Sequence, residues 1–481
     1  MAHQITGATA IAATGRFFLM DEMGSGKTST ILWGLKLREQ LYGDALPAII
    51  VAPASVVDVW KEEAEICWPD VPVQTWRGPE RHAMGVLLRG LYLMSYAVMR
   101  NDHRDGKLKR LGAKSVVYDE AHALCNHDSQ QSQEARKLGS TMNNVIATSG
   151  TPMTKHTANL WPALQAMDGD SWPVRARYVD RYCEVGFAQY GEAIEGLIKE
   201  REPEFRTALL GSYRRVAKAD VLDLPPKTYQ RRMVEVPSEW RAAYDEMAED
   251  MLAHLPDSDE PLPAMSTVAQ LMRLTQLASA AADVDVQKVW DEEGQQFKDE
   301  VHVTLKEPSW KVDAGIEILG ECHEAGEPMV AFSPSRQLVD LMGKRAEGHG
   351  YRVGYIVGGM SDKNRTATRK AFQDGQLDLL SVTTGAGGLG LTLTRACTAV
   401  FLSRPWSYVE AIQAEDRLHR RGQAKTVRII DIIAKNTVDR RVIMRLGEKA
   451  QNWAEFARDP RIVRDWLTGG QDDDSWRQFA A

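Results

Sequence analysis

The sequence predicts an α/β chain folded as two halves, each a mainly parallel sheet flanked by helices. Three observations predict it. Short apolar runs of four to six residues alternate with longer amphipathic stretches, each chemistry-bearing motif directly follows an apolar run, and the alternation occurs twice. It runs from Phe17 to Pro152 and again from Met329 to Ile433, with a stretch lacking it in between. Strands that alternate with helices pair in parallel, and such sheets bind ligands at their carboxyl ends.

Bulk properties bound the function classes. A chain of 481 residues makes two or three domains, and 43% hydrophobic with 26% charged residues is ordinary globular composition. No apolar run reaches the roughly 18–20 residues of a membrane span, and MAHQITGATA has neither the basic nor the apolar region of a secretory signal. The five cysteines lie far apart without CxxC spacing, which argues against a zinc site or a disulfide scaffold. A net charge of −7 means that any nucleic-acid contact must come from local basic patches.

Taken in order, the apolar run Phe17–Met20 reads as a buried strand. Asp21-Glu22-Met23-Gly24-Ser25-Gly26-Lys27-Thr28-Ser29 follows, then a helix to about Tyr42. Strand, glycine turn, Lys-Thr and helix is the layout of a phosphate cradle. Its glycines turn backbone N–H groups inward, and the helix N-terminus adds partial positive charge. In that role Gly24, Ser25, Gly26, Lys27, Thr28 and Ser29 hold nucleotide phosphates, and the Thr28 hydroxyl ligates Mg²⁺. The general pattern has a glycine where this chain has Asp21. Ala48–Ala52 is the next strand, ending at Pro53 and followed by Ser55 and a helix with Trp60 and Glu63. Leu91–Tyr96 and Ser115–Tyr118 are strands, the latter ending in Asp119-Glu120-Ala121-His122; between them lies a basic segment, Arg100–Lys114, read as a solvated face. Val145–Thr148 precedes Ser149-Gly150-Thr151-Pro152. Residues 159–215 read as a helical insertion, and Leu224-Pro225-Pro226-Lys227 as a stiff break.

The second half repeats the layout. A helical insertion is expected over about 236–300, with Met265, Val268, Leu271, Met272 and Leu277 as its core face and Asp291–Glu300 exposed. Strands follow at Met329–Phe332, ending at Ser333, and at Val353–Val357, Leu377–Val382, Ala399–Leu402 and Val427–Ile433. A helix is expected over Gln413–Arg420, which would put Arg417 and Arg420 on one face by their i, i+3 spacing. The expected domains are 1–225, 226–455 and a tail, 456–481.

A phosphate loop alone does not turn over ATP. The reaction also needs a carboxylate for the metal, a group that polarises water, and positive charge for the transition state. Asp119 and Glu120 fit the first two needs; Arg417 and Arg420 offer the third.

In this order the motifs resemble the two RecA-like lobes of superfamily-two helicases, and within them the SWI/SNF family of helicase-like ATPases, in particular its compact bacterial and viral members. Gln4 resembles the family's adenine-recognising glutamine, and Asp21–Thr28 its phosphate loop, where an acidic residue at Asp21 is normal. Pro53-Ala54-Ser55 with Trp60 and Glu63, and Asp119-Glu120-Ala121-His122, are similar to its next motifs. Ser149-Gly150-Thr151 has the SWI/SNF form of the coupling motif. Arg214-Arg215, Lys218, Asp220 and Leu224–Lys227 resemble the family's inter-lobe segment. Ala386–Leu391 and Gln413–Gln423 resemble its last two motifs.

The resemblance implies ATP and Mg²⁺ as cofactors, with Lys27, Asp119, Glu120, Arg417 and Arg420 catalytic and Ser149, Gly150, Thr151 and Gln413 coupling hydrolysis to movement. It implies a DNA partner, double-stranded and without sequence specificity, held near Pro53, Ser55, Ser333, Arg336, Gly387 and Trp406. Arg336 is equally read as a surface arginine, and Trp406 as packing between lobes. The expected activity is ATP-dependent translocation along DNA, in the cytoplasm of a bacterial cell or an infected host, with no membrane partner. A strand-separating DNA or RNA helicase is the alternative. A nucleotide-gated clamp without turnover is disfavoured, because binding alone does not need all five catalytic residues.

Overall fold

The computed structural model describes residues 1–152, 157–172, 174–188, 191–256, 262–264, 266–291, 296–385 and 391–457. Met1–Asp223 and Leu224–Gln451 form two compact units.

In the first unit, helix α1 (Ala2–Thr14) leads into β1 (Arg16–Leu19), α2 (Lys27–Tyr42), β2 (Ala48–Ala52) and α3 (Val57–Cys67). Then come β3 (Val73–Thr75), β4 (Leu91–Ser95), α4 (Tyr96–Arg104), β5 (Ser115–Asp119), α5 (Gln130–Ser140) and β6 (Asn144–Thr148). Residues after this strand form α6 (Trp161–Met167), α7 (Arg175–Tyr182), a hairpin of β7 (Cys183–Ala188) and β8 (Gly191–Leu197), then α8 (Glu202–Leu209), β9 (Tyr213–Arg214) and α9 (Lys218–Val221). Seven strands make one parallel sheet in the order β3-β4-β2-β5-β6-β1-β9. Its central strands, such as Ala-Ile-Ile-Val-Ala in β2, are buried along their whole length, as strands covered on both faces must be.

The second unit opens with β10 (Lys227–Val234), α10 (Ser238–Asp250), the short pair β11 (Leu252–Ala253) and β12 (Leu262–Pro263), α11 (Thr267–Leu277), and a long hairpin of β13 (Ala281–Asp291) and β14 (Gln296–Lys306). It continues through α12 (Trp310–Glu324), β15 (Met329–Ser333), α13 (Arg336–Gly348), β16 (Val353–Ile356), α14 (Asp362–Gln373), β17 (Leu379–Thr383), β18 (Thr398–Phe401), α15 (Tyr408–Glu415), β19 (Val427–Ala434) and α16 (Val438–Ala457). Its parallel sheet has the order β10-β19-β18-β15-β17-β16. The two-residue period of a strand sends Met329 and Ala331 to a core on one face and Val330 and Phe332 to a core on the other.

Four expectations need correction. The stretches read as helical insertions each contain a β-hairpin, because period-two alternation at Ala282-Val284 and Val301-Val303-Leu305 wins over the charges between them; these residues pack on the core of the second unit. Of the expected break Leu224–Lys227, only Lys227 departs: it opens the edge strand Lys227–Val234, which pairs in register with β19. Val268 and Met272 are 69% and 60% exposed, so the buried stripe of α11 is Leu274 and Leu277; Met265 lies outside the described residues. Finally, α15 stops at Glu415, and Arg417 and Arg420 sit in the turn that follows. That turn closes on itself through His419 N–H to the Glu415 carbonyl, and the Arg417 carbonyl accepts from Leu393 N–H.

Candidate functional site

Register brings the chemistry of the first unit together. Leu19 and Asp119 both pair with Thr148, so the carboxyl ends of β1, β6 and β5 lie side by side. The residues that follow, Asp21–Thr28, Ser149–Thr151 and Glu120, therefore emerge on one edge of one sheet.

The glycine turn expected to hold phosphate leads from β1 into α2. Gly24 and Gly26 adopt φ of 79° and 85°, where a side chain is strained, and Gly26 caps α2. Helix α1 closes over the loop: Gln4 Nε2 donates to the Gly26 carbonyl at 3.4 Å, and His3 Nε2 lies 2.9 Å from the Ser25 carbonyl. A Cβ at Gly26 would fall 2.3 Å from Gln4 Nε2, so the glycine is what admits Gln4. Lys27 Nζ donates to the Glu22 carbonyl at 3.3 Å. The Ser29 hydroxyl is committed to Glu63 on α3, so Ser29 supports the helix and does not face the loop.

Asp119 and Glu120 are both buried. Trp60 Nε1 donates to Asp119 Oδ2 at 2.7 Å, and the Glu120 N–H donates to Asp119 Oδ1 at 2.9 Å. Tyr96 holds the Asp119 carbonyl at 2.8 Å. Glu120 has φ of 50°, a left-handed conformation that costs a non-glycine residue about 1–2 kcal/mol. His122 Nδ1 then lies 3.1 Å from Glu120 Oε2 and 3.0 Å from Ser149 Oγ. Burial and the Glu120 charge raise Asp119 above the usual carboxylate range. Burial pushes Glu120 upward too, but the His122 hydrogen bond and charge, with Lys27, hold it below its ordinary value.

Gly150 packs against the loop: a Cβ there would meet Met23 Cγ and Met23 N at 3.1 Å and Lys27 Nζ at 3.4 Å. Among the described residues, the buried hydroxyls Ser25 Oγ and Thr151 Oγ1 have no partner in the protein. Unpartnered donors beside inward-facing glycines and a lysine fit a polyphosphate, and hard oxygen ligands from Thr28 and Asp119 fit Mg²⁺.

In the second unit Arg417 is buried, with Nη2 3.5 Å from the Thr384 carbonyl, its guanidinium 5.8 Å from the Phe332 ring centre, and Nη1 without a partner among the described residues. Burial pushes it down to about 10 and lowers Arg420 as well. Arg420 Nη1 donates to the Leu391 carbonyl at 3.3 Å. Gln413 Nε2 is buried without a partner among the described residues. Below this turn lies a buried charge network that sequence reasoning missed: Arg404 joins Glu415 and Asp431 at 2.6 Å each, and Glu415 also receives Lys227 at 2.9 Å and Tyr229 at 2.6 Å. Its members lie far apart in the chain, so spacing carries no signal of it.

The expected nucleic-acid residues fare unevenly. Pro53 opens the turn Ala54–Val56, and Ser55 on it is half-buried. Ser333 is fully buried with its hydroxyl accepting from Ser335 N–H at 3.1 Å, so it faces the protein. Arg336 is exposed and pairs with Asp340 at 3.1 Å. Trp406 is 37% exposed, and its carbonyl accepts from Lys449. Gly387 lies outside the described residues.

Two family models match successive parts of the chain, the first running past the boundary between the units at Asp223. A family model described as the SNF2-related domain matches residues 12–281, and one described as the helicase conserved C-terminal domain matches residues 310–422. An uncharacterized ATP-dependent helicase of Mycoplasma genitalium is 26% identical over 90% of this chain and 39% of its own length. The ISWI chromatin-remodeling complex ATPase of Saccharomyces cerevisiae is 24% identical over 90% of this chain and 38% of its own. The mouse chromodomain-helicase-DNA-binding protein 1-like is 27% identical, with 90% and 47% covered. The chain thus spans less than half the length of these relatives. Two solved structures of the Sulfolobus solfataricus SWI2/SNF2 ATPase core, the first with double-stranded DNA, match 97% and 98% of this chain and 93% and 91% of theirs at 20% identity. Their TM-scores of 0.43 and 0.41 are too low to support an argument from shape.

Proposed function

Since the chain belongs to the SNF2-related domain family of superfamily-two helicase-like ATPases, we propose that this ATP-hydrolysing motor moves along double-stranded DNA without separating its strands. The observation that carries the reading is the imidazole shared by Glu120 and Ser149, which joins the water-polarising carboxylate to the coupling motif.

In this reading Lys27 and the loop amides bind the β- and γ-phosphates, and Gln4 contacts the base. Thr28 and Asp119 hold Mg²⁺, which neutralises charge building on the phosphates. Glu120, held through its contact with His122, orients the attacking water. Arg417 and Arg420 supply the positive charge that stabilises the transition state. Pro53, Ser55, Arg336, Gly387 and Trp406 serve the DNA backbone. The names of the mouse and yeast relatives, a DNA-binding protein and a chromatin-remodeling ATPase, favour DNA over RNA. The match to bacterial and eukaryotic relatives alike leaves the compact bacterial or viral subtype, and a cytoplasmic setting, as part of the proposal.

ATPase rate measured without nucleic acid, with single-stranded DNA, with duplex DNA and with RNA tests the reading. Duplex DNA gives the highest rate, the stimulation weakens as salt rises, and a third strand is displaced while a forked duplex stays closed. Stimulation by RNA alone, or efficient opening of the fork, overturns it.

A further inference from the structure

One short segment is clasped at both ends beside the two elements that carry the chemistry. At its start, the backbone runs alongside β1 and on past it: Phe18 N–H donates to the Ser212 carbonyl at 2.7 Å, Met20 N–H to Arg214 at 2.7 Å, and Glu22 N–H to Val216 at 3.0 Å. Side chains lock this ladder. The Arg214 guanidinium pairs with the buried Asp21 carboxylate and donates to the His3 carbonyl of α1. Arg215 Nη2 lies 2.6 Å from Glu22 Oε1, and Lys218 N–H donates to Glu22 Oε2 at 2.9 Å. Asp21 and Glu22 are the residues on which the chain enters the phosphate loop. Helix α1 approaches the same guanidinium so closely that a Cβ at Gly7 would fall 2.6–2.8 Å from it.

The other end is held by the arginine turn of the second unit. His419 Nε2 lies 2.8 Å from the Pro225 carbonyl, and Val427 N–H donates to the Pro226 carbonyl at 2.9 Å. Lys227 and Tyr229 then both reach Glu415 Oε2. Glu415 is the last residue of α15, two positions before Arg417, and His419 is the neighbour of Arg420. Between the clasps run the four-residue α9 and a Leu-Pro-Pro stretch whose prolines fix φ. The Asp21 and Glu415 carboxylates of these pairs are buried, and charge-assisted bonds to buried carboxylates hold their geometry, so neither end slips freely.

We propose that Arg214–Tyr229 is a positioning strap, setting the phosphate loop with one end and the arginine turn with the other, so that a shift of either is passed to its counterpart. It rests on the reading that nucleic acid stimulates hydrolysis, and it assigns positioning roles to Arg214, Arg215, Lys227 and Tyr229. The network of Lys227, Tyr229, Arg404, Glu415 and Asp431 is then the anchorage of the arginine turn.

The test leaves both clasps intact and slackens what lies between them. Six residues, Gly-Gly-Ser-Gly-Gly-Ser, are inserted after Asp223, a site outside the catalytic machinery. The basal rate and the KM for ATP stay at wild type while the duplex-stimulated kcat falls about tenfold or more. Full stimulation in the insertion variant overturns the strap. A wild type unmoved by any nucleic acid is a different failure, that of the proposed function. Hydrogen exchange keeps the strap testable in that case. A non-hydrolysable ATP analogue with Mg²⁺ slows exchange over residues 416–423 in wild type and not in the insertion variant; equal slowing in both overturns it. Arg215→Ala reads the first clasp by itself, lowering stimulated kcat about tenfold with KM within about twofold. A wild-type kcat, or a loss confined to KM, overturns that assignment.

Discussion

Glu120 and Ser149, each the first residue past one of two adjacent strands and 29 positions apart, share one imidazole: His122 Nδ1 is 3.1 Å from the carboxylate and 3.0 Å from the hydroxyl. Any displacement of the Ser-Gly-Thr motif therefore moves the partner of the group assigned to activate water. His122→Ala is expected to lower stimulated kcat about 10–100-fold while KM for ATP changes less than about twofold, as for supporting contacts around a site. Steady-state kinetics with saturating duplex DNA read both values, and a loss in KM alone would place His122 in ATP binding.

Glu120→Gln separates binding from turnover. It keeps the Mg²⁺ contact at Asp119 and removes the carboxylate, so hydrolysis falls on the order of 10²–10⁴-fold with nucleotide binding retained. Lys27→Ala has the opposite signature, weak binding from the start. Fluorescent-nucleotide titration beside an ATPase assay distinguishes them; near-normal turnover by Glu120→Gln would displace it as the base.

Trp60→Phe tests what holds Asp119. The indole N–H is 2.7 Å from Oδ2 in a buried site, and phenylalanine keeps an aromatic ring there without the donor. The Mg²⁺ concentration for half-maximal rate is expected to rise about tenfold. An unchanged Mg²⁺ dependence means that the other contacts to Asp119 suffice to place it.

Arg417→Lys and Arg420→Lys keep the charge and lose the planar fork, which lysine cannot copy. Stimulated hydrolysis is expected to fall by about 10³-fold or more, with ATP and DNA affinity largely kept. Titrating duplex DNA against rate reads this, and an unchanged maximal rate removes the residue from the active site.

The Glu415 network sets an acid limit on stability. Burial opposes its charge, yet Lys227, Arg404 and Tyr229 bring the carboxyl down to about 2 from 4.5. Because the folded value is depressed, its contribution is present above about pH 4.5 and is lost as pH falls toward 2. A shift of that size corresponds to roughly 3 kcal/mol. Urea midpoints followed from pH 6 to pH 2 should show this limb, and Lys227→Met should move it to higher pH. A limb in the same place would assign it to other carboxylates.

The local geometry of the candidate site was legible where its parts are contiguous in the chain. Strand, glycine loop and helix at Phe17–Tyr42 follow from one contiguous pattern, as does Asp119-Glu120 at the end of an apolar run. What sequence could not show is long-range. Trp60 meeting Asp119, Arg214 meeting Asp21 and Glu415 collecting Lys227, Tyr229 and Arg404 depend on topology, and each residue alone reads as core or surface. The hairpins were hidden by charges set among alternating apolar residues. The arginine turn was hidden because i, i+3 spacing suits a helix and a compact turn equally.

The close approach of Gly150 to Met23 also limits how the family's parts can be exchanged. With 3.1 Å between a Cβ at position 150 and the Met23 backbone nitrogen, the third residue of the loop and the middle residue of the coupling motif are one choice, not two. Transplanting a Ser-Ala-Thr version into this chain would push the loop aside by a few tenths of an ångström unless a matching loop came with it. Chimeras between relatives should therefore be cut so that Asp21–Thr28 and Ser149–Thr151 come from the same parent.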